Sequence, residues 1–227
     1  MFARHVDRLM YFNEQVFTTE KYVIPYIQQV YKINSNSKIL EIGCGECGNL
    51  KPFLDMGCAV WGVDYDIPRI NLANEFLKDH PNKKSLHLIA KDIYTVNPAE
   101  LPKFDIVIMR DTIEHIPNQS LFLKKLYDYL ENDAIIFFGF PPWRMPFGGH
   151  QQLCKSTLLS KLPWYHILPN WLYFNILKWG GEPESVINDL KEIKETRISI
   201  HRFKKIIKEN KYHFLSLDHN LFNPNYE

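Results

Sequence analysis

Between Lys38 and Phe140 the chain alternates short apolar runs with stretches of helical period, and no other feature narrows its fold as much. Five runs read as strands: Lys38–Ile42, Ala59–Asp64, Leu86–Ala90, Phe104–Met109 and Ala134–Phe140. The spacers read as helices. Asn49–Met56 stops at Gly57, Pro68–His80 opens on a proline suited to a first helical turn, and Ser120–Leu130 carries Leu121, Leu123, Leu126 and Leu130. Strands joined through helices pair in parallel, so the expected core is an α/β, Rossmann-like, doubly wound and mostly parallel sheet. Residues 1–36 read as an aromatic-rich helical cap in which Pro25 marks a break or a helix start, and residues 141–198 as an aromatic-rich helical insertion after the fifth strand. At 227 residues, one decorated domain is expected rather than two.

Hydrophobic residues at 45% and charged residues at 23% exclude a disordered chain, and 27 basic against 26 acidic side chains argue against a nucleic-acid partner. The uncharged stretch 162–177 is broken by Pro163 and Pro169 and carries His166, Asn170 and Asn175, so no stable membrane association is expected. Four cysteines make no disulfide framework, and Met1–His5 leads into charges rather than an apolar signal core; a cytoplasmic location is expected.

Glycine is scarce, ten residues in all, yet Gly43, Gly45 and Gly48 fall within six positions at the turn from the first strand into its helix. Glycine serves there because the backbone turns sharply and approaches a ligand with no Cβ in the way. Asp64, 21 residues after Gly43, ends the next strand, where a carboxylate takes ribose hydroxyls. The literal GxGxxG admits a dinucleotide and an NAD(P)-dependent oxidoreductase. Glu41 and Glu46 oppose that reading, because they would repel a pyrophosphate and welcome an amino or sulfonium group. Asp92, after the third strand, adds a carboxylate able to read an adenine amino group.

Leu40-Glu41-Ile-Gly43-Cys-Gly45, Gly62-Val-Asp64, Lys91-Asp92-Ile93 and the run from Phe104 through Arg110-Asp111-Thr-Ile-Glu114-His115-Ile116-Pro117 resemble the ordered motifs of class I S-adenosylmethionine-dependent methyltransferases. The likeness is greatest to the small-molecule branch that includes the ubiquinone-biosynthesis type. It implies S-adenosyl-L-methionine as cofactor, a small-molecule or carrier-linked acceptor methylated on oxygen or nitrogen, and sheet order 3-2-1-4-5-7-6. It further implies that Glu41, Gly43 and Gly45 hold the methionine part, Asp64 the ribose, Asp92 and Ile93 the adenine, and that Met109–Arg110 line the site. Cys44 and Tyr65 join that set. The family usually has glycine where Cys47 stands. A protein that binds the cofactor without transferring its methyl group is a further alternative.

On the acceptor side, His150 is the preferred base and His115 the second candidate, with Tyr11, Trp143 and Gln151 as substrate contacts. Gly148-Gly149 is read as giving that loop its freedom. The aromatic insertion reads as packed core, as a lid, or as the surface of a homodimer. Cys44 and Cys47 form a CxxC without a second pair, so no metal is expected. Ser199–Asn210 reads as an amphipathic helix, Tyr212–Leu217 as a sixth strand, and Asn220–Glu227 as a short seventh strand if one exists.

Overall fold

The computed structural model describes residues 7–219, which divide into two compact units. The sheet unit comprises Asp7–Arg110, Lys125–Phe138 and the described residues from Phe214; the helical unit comprises Asp111–Lys124 and Gly139–His213.

In the sheet unit the strands are β1 (Lys38–Ile42), β2 (Ala59–Asp64), β3 (Leu86–Ala90), β4 (Phe104–Arg110) and β5 (Leu130–Gly139, whose last residue falls to the helical unit), in the order β3-β2-β1-β4-β5. The β1–β2, β1–β4 and β2–β3 pairs are parallel. The central strand β1 is buried beyond its first residue, as expected of a strand covered on both faces. Ile39, Val60, Ile106 and Ile108 pack with Phe53 and Leu54 of α3 (Lys51–Asp55) and with Ile70 and Ala73 of α4 (Ile67–Phe76).

The N-terminal cap is one nearly continuous helical segment. Asp7 caps α1 (Arg8–Thr18) by accepting from the Met10 amide at 2.9 Å. A π-helical turn, Thr19–Val23, then leads into α2 (Ile24–Gln28). Pro25 explains the change of pitch: it has no N–H for the carbonyl one turn back, and the ladder passes the defect by the wider step from the Ile24 amide to the Thr19 carbonyl.

The expected helix at Ser120–Leu130 is α5 (Gln119–Leu126), and the helical unit has its own core of Cys154, Leu159, Tyr165, Tyr173, Leu177 and Leu190, drawn from α6 (Thr157–Lys161), α7 (Asn170–Trp179), α8 (Glu184–Thr196) and the segments before them. Burial is divided among its aromatics: Tyr165 and Tyr173 are core, whereas Trp171 and Trp179 on α7 are 68% and 77% exposed. The amphipathic helix α9 (Ile200–Glu209) buries Phe203, Ile206 and Ile207 and is capped by Ser199. Beyond it, Tyr212–Leu217 forms no strand. The Tyr212 hydroxyl donates to the Leu123 carbonyl at 2.9 Å, and Phe214, Leu215 and Leu217 are exposed and lie outside the strands. Asn220–Glu227 lies outside the described residues.

Gly48 sets how closely α1 approaches the glycine turn. A methyl group there would lie 2.6 Å from the Phe12 carbonyl oxygen and 2.7 Å from the Gln15 side chain. Gly48→Ala should therefore destabilise the protein by about 1–3 kcal/mol, read as a lower urea midpoint at unchanged slope.

Candidate cofactor site

The parallel register brings the carboxyl ends of β1, β2 and β4 together. Glu41 of β1 pairs in register with Gly62 of β2 and Ile108 of β4. Beyond β1 the chain turns through Gly43 (φ 75°), Gly45 (φ 51°) and Cys47 (φ 65°), all in the left-handed region. The Gly43 amide donates to the Val63 carbonyl at 2.8 Å, which ties the turn to β2. Asp64, buried at the tip of β2, accepts from the Gly45 amide at 2.8 Å through Oδ2 and from the Asp66 amide at 2.9 Å through Oδ1. One lone pair on each oxygen is left over by these two bonds.

Glu41 is completely buried. Its Oε1 accepts from the Asn49 amide at 2.6 Å, and the Asn49 carbonyl oxygen in turn accepts from Arg110 Nη1 and from the Thr19 hydroxyl, each at 3.0 Å. Thr19 stands in the π-helical turn, so the defect at Pro25 also positions a site residue. Burial pushes the Glu41 carboxyl up to about 8; the Asn49 bond and the Arg110 charge oppose that rise and Asp64 adds to it. Its second oxygen, Oε2, is buried without a hydrogen-bond partner. A cationic donor is what this arrangement lacks. Glu46 differs in being buried against a cation, Arg8 of α1, whose Nε donates to its Oε1 at 2.6 Å; each of the two acidic residues taken to repel a pyrophosphate keeps one buried oxygen without a hydrogen-bond partner.

The other expected cofactor residues have mixed positions. Tyr65 is 79% exposed directly after Asp64. Asp92 is exposed and caps its own turn by accepting from the Tyr94 amide at 2.9 Å, while Ile93 and Met109 are buried. Cys44 and Cys47 are buried free thiols; burial, and then Cys47, hold the Cys44 thiol well above its usual range, the reverse of a reactive CxxC. Tyr11 carries the Arg8 guanidinium 5.1 Å above its ring.

Within the helical unit, Glu114, His115 and His150 form one group: His150 Nε2 lies 3.6 Å from Glu114 Oε1, and the two imidazole rings are 5.4 Å apart at 82°. Gln151 is fully buried and donates to His166 Nδ1 at 2.7 Å and to the Pro146 carbonyl at 3.1 Å. These bonds hold its amide nitrogen within the helical unit, while Oε1 is buried without a hydrogen-bond partner. Burial keeps His166 neutral, with Nε2 donating to the Trp143 carbonyl at 2.7 Å. The freedom expected of Gly148-Gly149 is corrected: a methyl group on Gly149 would lie 2.3 Å from His166 Cβ, so this glycine allows a close approach. Trp143, Arg144, Leu168, Asn170, Lys194 and Arg197 help line a cavity of about 730 Å³ with no acidic residue in its lining. Lys194 is buried there and donates to the Leu168 carbonyl at 2.8 Å; burial, and then Arg197, lower its ammonium to about 8.

A sequence profile described as a methyltransferase domain matches residues 12–170. The chain belongs to that family. The ubiquinone biosynthesis O-methyltransferase of Pelagibacter ubique (strain HTCC1062) is 28% identical over 123 residues, covering 52% of this chain and 50% of the relative. That of Rhodopseudomonas palustris (strain TIE-1) is 31% identical over 90 residues, covering 39% and 33%. The chain thus spans about half the length, or less, of these curated relatives. Among solved structures, the plantazolicin methyltransferase BpumL in complex with SAH superposes with a TM-score of 0.54 at 15% identity, over 88% of this chain and 62% of that one, a likeness of fold.

Against the family pattern, Cys47 keeps the left-handed backbone that glycine adopts without strain, and its sulfur is buried against Gly62. The turn therefore keeps its shape. Sequence reasoning missed Asn49 and Thr19. Asn49 adjoins the glycine cluster and was legible as a polar neighbour, but nothing in the sequence pointed from Thr19 to Glu41.

A carboxyl raised to about 8 in the folded state and near 4.5 in the unfolded state binds its proton more tightly when folded. Its contribution is then greatest below pH 4.5 and falls away up to pH 8. Relative to Glu41→Gln, the unaltered protein should lose stability across that window, by at most about 1.4 kcal/mol per pH unit, in urea titrations at successive pH values.

Proposed function

We propose that this chain transfers a methyl group from S-adenosyl-L-methionine to an oxygen or nitrogen of a small-molecule or carrier-linked acceptor. The observation that carries this reading is the buried, unpartnered Oε2 of Glu41 at the carboxyl end of β1. It suits an ammonium group and would repel a pyrophosphate. When bound, the cofactor supplies a methyl group activated by a sulfonium. Glu41 takes the amino group, the two remaining lone pairs of Asp64 take the vicinal ribose hydroxyls, and the Gly43–Gly45 backbone leaves room for the chain between them. Asp92 and Ile93 serve the adenine. The enzyme's task is alignment for in-line displacement, and for a hydroxyl or amine acceptor also control of one proton, which falls to Glu114, His115 and His150. A cytoplasmic location accords with the four free cysteines.

The acceptor class follows from the cavity of the helical unit. Arg144, Lys194 and Arg197 with Trp143, and no acidic lining residue, suit an acceptor that pairs an apolar body with a carboxylate or phosphate.

Calorimetry tests the cofactor reading directly. At pH 7 Glu41 enters protonated, and pairing with an ammonium ionises it, so binding of S-adenosylmethionine should release about one proton, measured in buffers of different ionisation enthalpy. Affinity should accordingly rise with pH up to about 8. Glu41→Gln should abolish the release, and Asp64→Ala should weaken binding about 10–100-fold. Absence of binding to both the cofactor and its demethylated product would refute the reading. For the acceptor, turnover of a carboxylate-bearing substrate should fall as pH rises through about 8, where Lys194 loses its charge, and Lys194→Met should erase the preference for an acid over its amide.

A further inference from the structure

The two buried carboxyls at the glycine turn are answered in different ways. Glu46 meets a cation, since Arg8 Nε donates to its Oε1 at 2.6 Å. Glu41 meets a neutral amide: Asn49 Nδ2 donates to its Oε1 at 2.6 Å, while Oε2 has no hydrogen-bond partner. The Arg110 guanidinium acts on Glu41 through its charge, but its Nη1 donates to Asn49 Oδ1 at 3.0 Å, so that nitrogen reaches Glu41 by way of the amide. A neutral donor steadies a carboxylate without cancelling its charge.

An asparagine amide is nearly symmetric in shape, so its partners decide which end faces where. At Asn49 they leave one answer. Oδ1 has two lone pairs, and the Thr19 hydroxyl and Arg110 each donate to it at 3.0 Å, which fills both and turns the NH2 end to Glu41. Turned over, the amide would set its oxygen against the carboxylate. The Thr19 hydroxyl is diverted from its own helix to make this bond. Its neighbour Thr18 donates to the Glu14 carbonyl four residues back at 2.8 Å, the habit of a helical threonine, whereas Thr19 reaches across 30 positions to Asn49. Thr19 and Asn49 are 0% and 2% exposed, so water does not compete for the bond. The π-helical turn that Thr19 opens fixes its backbone, since its carbonyl accepts from the Ile24 amide.

We infer that Thr19 is a positioning residue for an ammonium-bearing ligand: it holds the Asn49 amide so that a neutral donor fixes one Glu41 oxygen and the other stays open to the ligand's cation. The identity of that ligand rests on the S-adenosylmethionine reading; the positioning of Glu41 by Thr19 does not. The charged and titratable groups that bear on Glu41 are Arg110 of β4, Asp64 of β2 and the Cys44 thiol of the turn. Thr19 and Asn49 add no charge to that set. Burial raises the Glu41 carboxyl and the Asn49 bond opposes the rise, so loosening the amide raises the carboxyl further and makes the anion harder to form. A ligand ammonium that needs the anion then binds less well at a given pH.

Two measurements on the full chain test this. Without cofactor, the Glu41 side-chain carboxyl carbon is followed by NMR against pH and assigned by its loss in Glu41→Gln. Thr19→Val, which removes the hydroxyl and keeps the branched shape, should move its midpoint up by about half to one pH unit, and Thr19→Ser should restore it. Asn49→Asp keeps the shape but puts an acceptor where the donor was, and should move the midpoint up further. With the demethylated cofactor, calorimetry should show Thr19→Val weakening binding about 3–10-fold at pH 7, with the rise of affinity displaced to higher pH, and Thr19→Ser again restoring it. A Thr19→Val protein that is less stable in urea yet keeps both the Glu41 midpoint and the pH profile of binding would overturn the inference and assign Thr19 to packing. Failure of serine to restore what valine loses would overturn it too. If the midpoint moves as expected while neither form of the cofactor binds the unaltered protein, the positioning of Glu41 stands and the methyl-donor reading falls.

Discussion

A carboxyl group buried at the carboxyl end of the central strand organises the sheet unit around it. Glu41 sits where β1, β2 and β4 converge, and burial alone would make it intolerable there. Asn49 makes it tolerable, because one amide satisfies one oxygen while its own carbonyl is held by Arg110 and Thr19. Three elements distant in sequence thus meet on one side chain. The N-terminal cap is drawn in by Thr19, the glycine turn by Asn49 and β4 by Arg110.

The same convergence explains why the glycine cluster has two separate duties. Gly43 and Gly45 supply left-handed backbone, and Gly48 supplies a gap into which α1 settles. Cys47 shows that the left-handed position does not demand glycine when a small side chain has a buried place to go, here against Gly62. Arg8 reaches back from α1 to neutralise Glu46 inside the turn. The carboxyl that has no cationic donor bonded to it is then that of Glu41.

In the helical unit, polar groups hold packing that the aromatic content alone suggested would be apolar. Gln151, His166 and the Trp143 carbonyl form a chain of hydrogen bonds, and Lys194 donates to the Leu168 carbonyl with its Nζ 4.6 Å from the Tyr173 ring centroid. Hydrogen bonds of this kind rigidify such a core, although Gln151 Oε1 and the Tyr173 hydroxyl are buried there without a partner.

The alternation of apolar runs and helical spacers was enough to determine β1, β2 and β3 to the residue and β4 to within one, since period and turn chemistry are local properties of the chain, whereas the order β3-β2-β1-β4-β5 was legible only through the family resemblance. Glu41, Asp64 and the glycine turn were legible for the same reason: strand ends and tight turns mark themselves. Tyr212–Leu217 read as a strand because its residues are apolar and aromatic, but a strand exists only when a neighbour offers a ladder, and the Tyr212 anchor on Leu123 directs the chain elsewhere. Gln151 and Gly149 read as loop residues for want of any local sign that His166 would pack on them. Thr19 beside Asn49, and His150 beside Glu114, are partners separated by 30 and 36 positions. Only tertiary folding brings such pairs together, because side-chain contact across that span depends on how the elements pack and not on the residues next to them.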